Sequence, residues 1–459
     1  MYRYLKTGFL LSLICVMGIA GCGKKAPQSP ASGTASAGPN YPAPKPGEPT
    51  PIRIAFWGAV EEKEIIQKTV DAWLINHKDI KIILEHIPSG SYIDKVLTEF
   101  AGGNPPDIIF CEVNVFVTFF YKNALLDLTP FLQEDKELNM NSYFPEVVSR
   151  FSKNGRIFCI PRDTAPFACI FYNKSIFDKL NVAYPTDNWD MDQMLATAKK
   201  LTVDENGKTP GQQGFDPKKI KRYGFWAWAW QNFVYSFGGK LVDNIDNPTR
   251  CLLDEQAAVD GVQYFIDLSY KHNVSPKPEA LTNTGMNINQ LFVTEKLAMF
   301  STGIWDTPNL RKTVGDKFKW DVVMFPKGPQ GKRGFGTGGS GYAILNTTRF
   351  PRESWEVLKC LAGAKGQEML ADAGLAQPAN RTIAEGEYWA RSTKSPLNKK
   401  MLNEAVKYAV YDPFNPLWKE ISDKYVAPQM DLIITNKVPV QEGLKKIAYQ
   451  VNNALRGRR

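Results

Sequence analysis

Two hydrophobic rhythms alternate along the chain from residue 52 onward. IRIAFWG (52–58) is a short, continuous apolar run, as expected of a strand buried on both faces. Behind it Ile65, Ile66, Val70, Trp73 and Leu74 recur at helical spacing, with Glu61 and Glu62 where a helix N-terminus favours acids. IKIILEHI (80–87) predicts a second strand, and Ile93, Val96, Leu97 and Phe100 a second amphipathic helix. GGNPPD then breaks the pattern and IIFCEV reads as a third strand. Strand and helix in alternation predict a parallel sheet with helices on its faces. Ligands of such sheets sit beyond the C-terminal strand ends, here at residues 57–58, 88–91 and 112–114.

The segment before this body has a different pattern. Arg3 and Lys6 precede an apolar run from about residue 8 to 20, too short to span a bilayer but suited to a signal peptide. It ends in Ile19-Ala20-Gly21-Cys22, similar to the lipobox of bacterial lipoproteins, so residues 1–21 are expected to be removed and Cys22 lipidated. Residues 22–50 are rich in Pro, Ala, Ser and Gly and have almost no large apolar side chain, which predicts a disordered tether. Fully extended, it would reach roughly 80–90 Å. The expected location is the cell envelope, in the periplasm or on the outer face of the cytoplasmic membrane.

Charge and cysteine content narrow the function classes. The 459-residue chain has a formal charge of +9, but its cations are scattered, with no basic helix or aromatic–basic signature for nucleic acid. Beyond Cys15 and Cys22 stand Cys111, Cys159, Cys169, Cys251 and Cys360, mostly in apolar runs and matching no metal motif, so buried free thiols are expected. The only histidines are His77, His86 and His272, which poorly supply a zinc site or a Ser-His-Asp triad. No metal or cofactor is implied. GFGTGGSG lacks the lysine of a phosphate-binding loop and reads as a Gly-rich hinge strand.

The order of several segments carries a resemblance. FAGGNPPDIIFCEVNVF with ALLDLTPFL, then NGRIFCIPRDTAPFACIFYNKSIFDKL, YPTDNWDMDQMLATAKKLT and FVTEKLAMFSTGIWD are followed by WDVVMFPKGP, GFGTGGSGYAI and ESWEVLKCLAGAKGQEML. Over residues 52–452 this resembles the extracellular solute-binding proteins of the carbohydrate ABC-transporter group (family 1, maltose-binding-protein-like). The chain departs from the pattern at Glu295-Lys296, where that group often has a Gly-Lys turn, and at Asn114, where it often has an acid. The resemblance implies an α/β, two-lobed periplasmic-binding-protein-like fold of type II with a ligand cleft between the lobes. Lobe 1 is expected at 51–162 plus 304–340 and lobe 2 at 163–303 plus 341–459. Crossings are expected near 161–165, 301–303 and 339–342.

It also implies a non-enzymatic, monomeric receptor that captures a sugar or oligosaccharide for ABC permease subunits, held at the membrane by its lipid. YGFWAWAWQNFVYSFGG (223–239) supplies three closely spaced indoles. Trp230 shares a helical face with Phe233, Val234 and Phe237 and belongs to a core, whereas Trp226 and Trp228 fall at a strand-to-helix turn on the cleft rim. Flat, CH-rich sugar faces stack on indoles while acids, amides and arginine satisfy hydroxyls. The remaining candidates for ligand contact are Trp57, Glu61, Glu112, Asn114, Arg162, Asp163, Trp305, Asp306 and Trp418. Two alternatives stay open. The scaffold would take a polyamine or polyol phosphate if the cleft suits charge, or act as an envelope glycan hydrolase if Glu61, Glu112 and Asp163 supply a carboxylate pair.

Overall fold

The computed structural model describes residues 44–457; the 1–21 leader, Cys22 and most of the tether lie outside the described residues. Nine strands build two sheets: β1 (Thr50–Phe56), β2 (Ile80–His86), β3 (Ile108–Glu112), β4 (Ile160–Asp163), β5 (Cys169–Asn173), β6 (Trp226–Ala227), β7 (Met299–Thr302), β8 (Trp320–Met324) and β9 (Ser340–Ile344). The first sheet has the order β2-β1-β3-β9-β4, with β1 parallel to β2 and β3, and β9 antiparallel to β3 and β4. In the second, of order β6-β7-β5-β8, β5 is antiparallel to both neighbours.

The helices follow the predicted periodicity. α1 (Val60–Leu74) and α2 (Ser89–Ala101) connect the first three strands, and α3 (Val113–Tyr121) starts directly at the end of β3. α1 has Glu61 and Glu62 in its first turn and buries Ile66, Thr69 and Val70. In the second lobe α4 (Trp230–Ser236) packs on α5 (Gln256–Tyr270). α6 (Pro351–Ala362) lies on the first sheet, against β9, β4 and β1. The final helix, α7 (Val440–Arg456), buries Val440, Leu444, Ile447, Ala448 and Val451 along one stripe. Each large apolar side chain so buried contributes about 1.5–3 kcal/mol. One core runs through both sheets; a smaller one around Trp230, Val262, Trp418 and Leu444 holds the C-terminal helices. All five cysteines of the body are buried and free.

The turn that lacks the customary glycine closes because Glu295 itself adopts a left-handed φ of 58°. The lobe boundaries differ from expectation. β7 and β8 both pair with β5, so residues 301–303 are no crossing and 320–324 belong to the second sheet. The return to the first sheet comes only between 325 and 339, and β9 and α6, expected in lobe 2, pack with lobe 1. A third passage lies where Ala409–Val410 pairs with Phe335–Gly336, ahead of the C-terminal helices. Apolar runs announce strands but not their hydrogen-bonded neighbours, so the partition between lobes does not follow from the pattern alone.

The Gly-rich segment is strand in part, and one glycine in it is obligatory for close packing. A Cβ on Gly341 would lie 2.3 Å from the Ile160 carbonyl and 2.8 Å from Cys159 Sγ. Gly341→Ala must therefore push β9 off β4, and urea unfolding should show a loss of roughly 1–3 kcal/mol. An unchanged midpoint would refute this packing.

Candidate functional site

A cleft cavity of about 760 Å³ is lined from both lobes. The first sheet contributes the strand ends and helix starts at Trp57, Glu61 and Glu112; the second contributes Trp228, Trp305 and Asp306. This volume suits a small molecule.

Its apolar surface is aromatic. Trp57 directly follows β1 and is wedged against Tyr92 and Phe110, with ring centroids 4.6 and 4.3 Å away. Opposite, Phe167, Trp228 and Trp305 form a group of mutually steep rings. Phe167 lies 5.1 Å from Trp228 at 63° and 5.5 Å from Trp305 at 90°, and the two indoles are 6.2 Å apart at 83°. Trp228 keeps 51% of its surface exposed although it sits between core residues in sequence. Trp305 folds back over Gly303, where a Cβ would meet the indole at 1.8 Å. The Gly-x-Trp pattern thus has a steric cause: any side chain at 303 displaces the ring.

A buried ion cluster forms the polar floor. Arg162 Nη2 donates to Glu62 Oε1 at 2.6 Å, and Nε donates to Asp163 Oδ2 at 2.8 Å. The Ser340 amide donates to Asp163 Oδ1 at 3.0 Å. The guanidinium carbon lies 4.2 Å from the Phe110 ring centroid. Burial opposes the charge of Arg162, but Glu62, Tyr342 and Asp163 outweigh it and hold the proton more tightly than usual. The carboxyl of Glu112, at the end of β3, accepts no hydrogen bond from the described residues. Burial, then Asp412, Asp163 and Glu62, push its carboxyl up to about 7 from an ordinary 4.5, against the pull of Arg162. Burial also raises Asp306, although Asn289 Nδ2 donates to it at 3.0 Å.

Of the residues expected from sequence, Trp57, Glu61, Glu112, Asn114, Arg162, Asp163, Trp228, Trp305 and Asp306 are brought together around this cavity. Two are not. Trp226 is committed to β6, where it pairs with Phe300 and packs against the main core. Trp418 is 4% exposed in the smaller core, facing only a side cavity of about 210 Å³. Asn114 reaches both cavities and donates to Asp412 Oδ2 at 2.8 Å. Sequence reasoning missed Glu62, Phe167, Asn289 and Asn309, which also line the cleft. Glu62 was within reach, lying in the same helical turn as Glu61; Phe167 follows the first crossing by a few residues. Nothing in the local pattern marks Asn289 or Asn309.

The raised Glu112 carboxyl has a signed consequence. A carboxyl whose pKa is higher folded than unfolded gives stability that is complete below about 4.5 and is lost as pH rises through about 7. Glu112→Gln removes this loss. Its melting midpoint should exceed that of the unsubstituted protein by roughly 2 °C or more at pH 8, and the gap should close towards pH 4.5. A gap constant with pH would contradict the assigned environment.

Comparison with known proteins places this geometry. The family model for bacterial extracellular solute-binding proteins matches residues 59–368. An ABC substrate-binding protein from Listeria monocytogenes, solved in complex with cycloalternan, superposes with a TM-score of 0.76 at 21% identity, over 88% of this chain and 98% of that one. Maltose-bound MalE3 of T. maritima gives 0.72 at 20%, over 88% and 99%. A putative binding protein of Brucella abortus (strain 2308) is 21% identical over 360 residues, 78% of this chain and 82% of the relative. At such identities the structural likeness establishes the two-lobed fold, and the family match covers most of the body. The chain belongs to the bacterial extracellular solute-binding protein family.

Proposed function

We propose that this protein is a lipid-anchored extracytoplasmic receptor that captures a sugar or oligosaccharide in the interlobe cleft and delivers it to an ABC permease. The observation that carries the reading is the exposed Trp228 indole beside Trp305 and Phe167, facing a cavity whose other groups are carboxylates, Arg162 and asparagine amides. Flat ring faces take the CH surface of a pyranose, and charged or amide groups take its hydroxyls. The ligands named for the two solved relatives, cycloalternan and maltose, support the same chemistry.

No catalytic step is assigned. Capture needs only that the ligand favour the closed arrangement of the lobes over the open one. A polyamine is the second reading, favoured by one observation: five carboxylates, Glu61, Glu62, Glu112, Asp163 and Asp306, line the cavity against the cations Arg162 and Lys419.

Thermal unfolding with a panel of mono- and oligosaccharides, polyamines and polyol phosphates tests the reading. A ligand at 100 times its dissociation constant adds about 2.7 kcal/mol of stability. A saccharide should raise the midpoint and be recovered chemically unchanged; a hydrolysed one would establish an enzyme instead. Trp228→Ala and Trp305→Ala should each weaken that ligand at least about tenfold, near 1.4 kcal/mol. Trp418→Ala should instead cost about 3–5 kcal/mol of stability through its core. Equal losses of affinity in all three would remove the aromatic group from the argument.

The anchor rests on the lipobox-like Ile19-Ala20-Gly21-Cys22 and the tether behind it. In cell fractionation the unsubstituted protein should sediment with membranes and Cys22→Ser should not. Unchanged partition would reject lipidation at Cys22.

A further inference from the structure

The charge of the cleft runs against that of the molecule. The chain as a whole is cationic, at +9, yet five carboxylates line the cavity against two cations. Both cations already have acidic partners. Arg162 is shared between Glu62 and Asp163, and Lys419 is paired with Asp423. Glu61, Glu112 and Asp306 therefore face the cavity without a salt bridge among the described residues, although Arg162 still attracts Glu112 from a distance. Asp306 has at least the Asn289 amide, whereas the Glu112 carboxyl accepts no hydrogen bond from any described group and feels Asp412, Asp163 and Glu62 more than it feels Arg162.

A neutral sugar meets only half of this. Hydroxyls donate to carboxylates, but they do not offset like charges gathered in a site of low dielectric. A positive group does both. The aromatic wall points the same way, because a cation is attracted to ring faces within about 6 Å of the centroid. Phe167, Trp228 and Trp305, steeply inclined to one another with centroids 5.1–6.2 Å apart, present several such faces to one cavity. A linear polyamine would answer the carboxylates but has no flat CH surface for the indoles.

We infer that the saccharide taken by this cleft carries protonated amines, as an oligomer of glucosamine does, with the Glu112 carboxylate as the principal counter-charge and Asp306 as the second. The inference rests on the carbohydrate reading above and narrows it to cationic sugars. Amines then supply the charge that the lining lacks, while the pyranose faces lie on the indoles. Acetylation of those amines removes the charge and leaves the rings, so it isolates the one interaction at issue.

Isothermal titration of the purified protein at about pH 7 provides the test: the Glu112 carboxyl, pushed up to about 7, is then about half ionised, and a bound ammonium ionises it further. The probes are a glucosamine tetramer, its fully N-acetylated counterpart, a glucose tetramer and spermidine. The free-amine tetramer should bind at least about tenfold more tightly than either neutral tetramer, and the margin should shrink as salt is raised. Glu112→Gln should cut the amine-to-acetyl ratio at least about fivefold, and Asp306→Asn by less. If Glu112→Gln does not fold, the Asp306→Asn ratio is the reading. Neutral tetramers binding as well as the amine, or ratios unmoved by both substitutions, would overturn the inference and leave the carbohydrate reading intact. Spermidine binding with no saccharide binding would overturn both.

Discussion

Arg162 is the point on which the two lobes and the cleft between them depend. It belongs to β4, on the last turn of chain before the first passage into the second lobe, and it is 5% exposed. A guanidinium withdrawn from water to that degree persists only if its charge is matched where it stands. Glu62 from the first turn of α1 and Asp163 from the same strand do this, and Asp163 is itself fastened to Ser340 at the start of β9. Three chain segments remote in sequence are thereby joined at one spot. That spot is the floor of the binding cavity, so the geometry of the floor and the passage between lobes are set together.

The same arrangement explains why the site has the charge it has. Once Glu62 and Asp163 are consumed by Arg162, the remaining acids are left to burial and mutual repulsion, and Glu112 is held near neutrality in its proton affinity. Against this polar floor stand the rings. Trp57 is braced by Tyr92 and Phe110 on the first lobe, and Trp305 is held down over Gly303 on the second. Rigid aromatic faces on both sides and a charged floor between them make a surface selective for amphiphilic ligands of fixed shape, which is a stronger demand than volume alone. The chain belongs to a family of bacterial extracellular solute-binding proteins.

Most of the cleft was legible because strand ends in an alternating strand–helix chain converge on one side of a sheet. Trp57, Glu61 and Glu112 follow from that rule with no knowledge of packing. Trp305 also follows, through the Gly-x-Trp pattern. Trp418 failed the same reasoning because an aromatic in a short helix has two faces to choose from, and the core formed with Leu444 and Val262 took it. Trp226 failed because it lies within β6, laddered to Phe300, whereas Trp228 lies past the end of that strand, at the rim. Asn289 and Asn309 were invisible, since an amide on a short helix acquires a role only from what the fold places opposite it.

Local chemistry is therefore what the sequence determined alone. Hydrophobic period specified helix and strand, and the Gly-rich run, which lacks the lysine of a phosphate-binding loop, became strand in part. These depend on residues within a few positions of one another. Which strands pair was decided only in three dimensions: β8 joined β5 and β9 joined β3, reversing the expected assignment of 304–324 and of the stretch after 340. The charge of the cleft was decided there too. A list of acids and bases cannot say which carboxylates Arg162 will neutralise, because pairing energies depend on distance and burial, and both are properties of the folded chain.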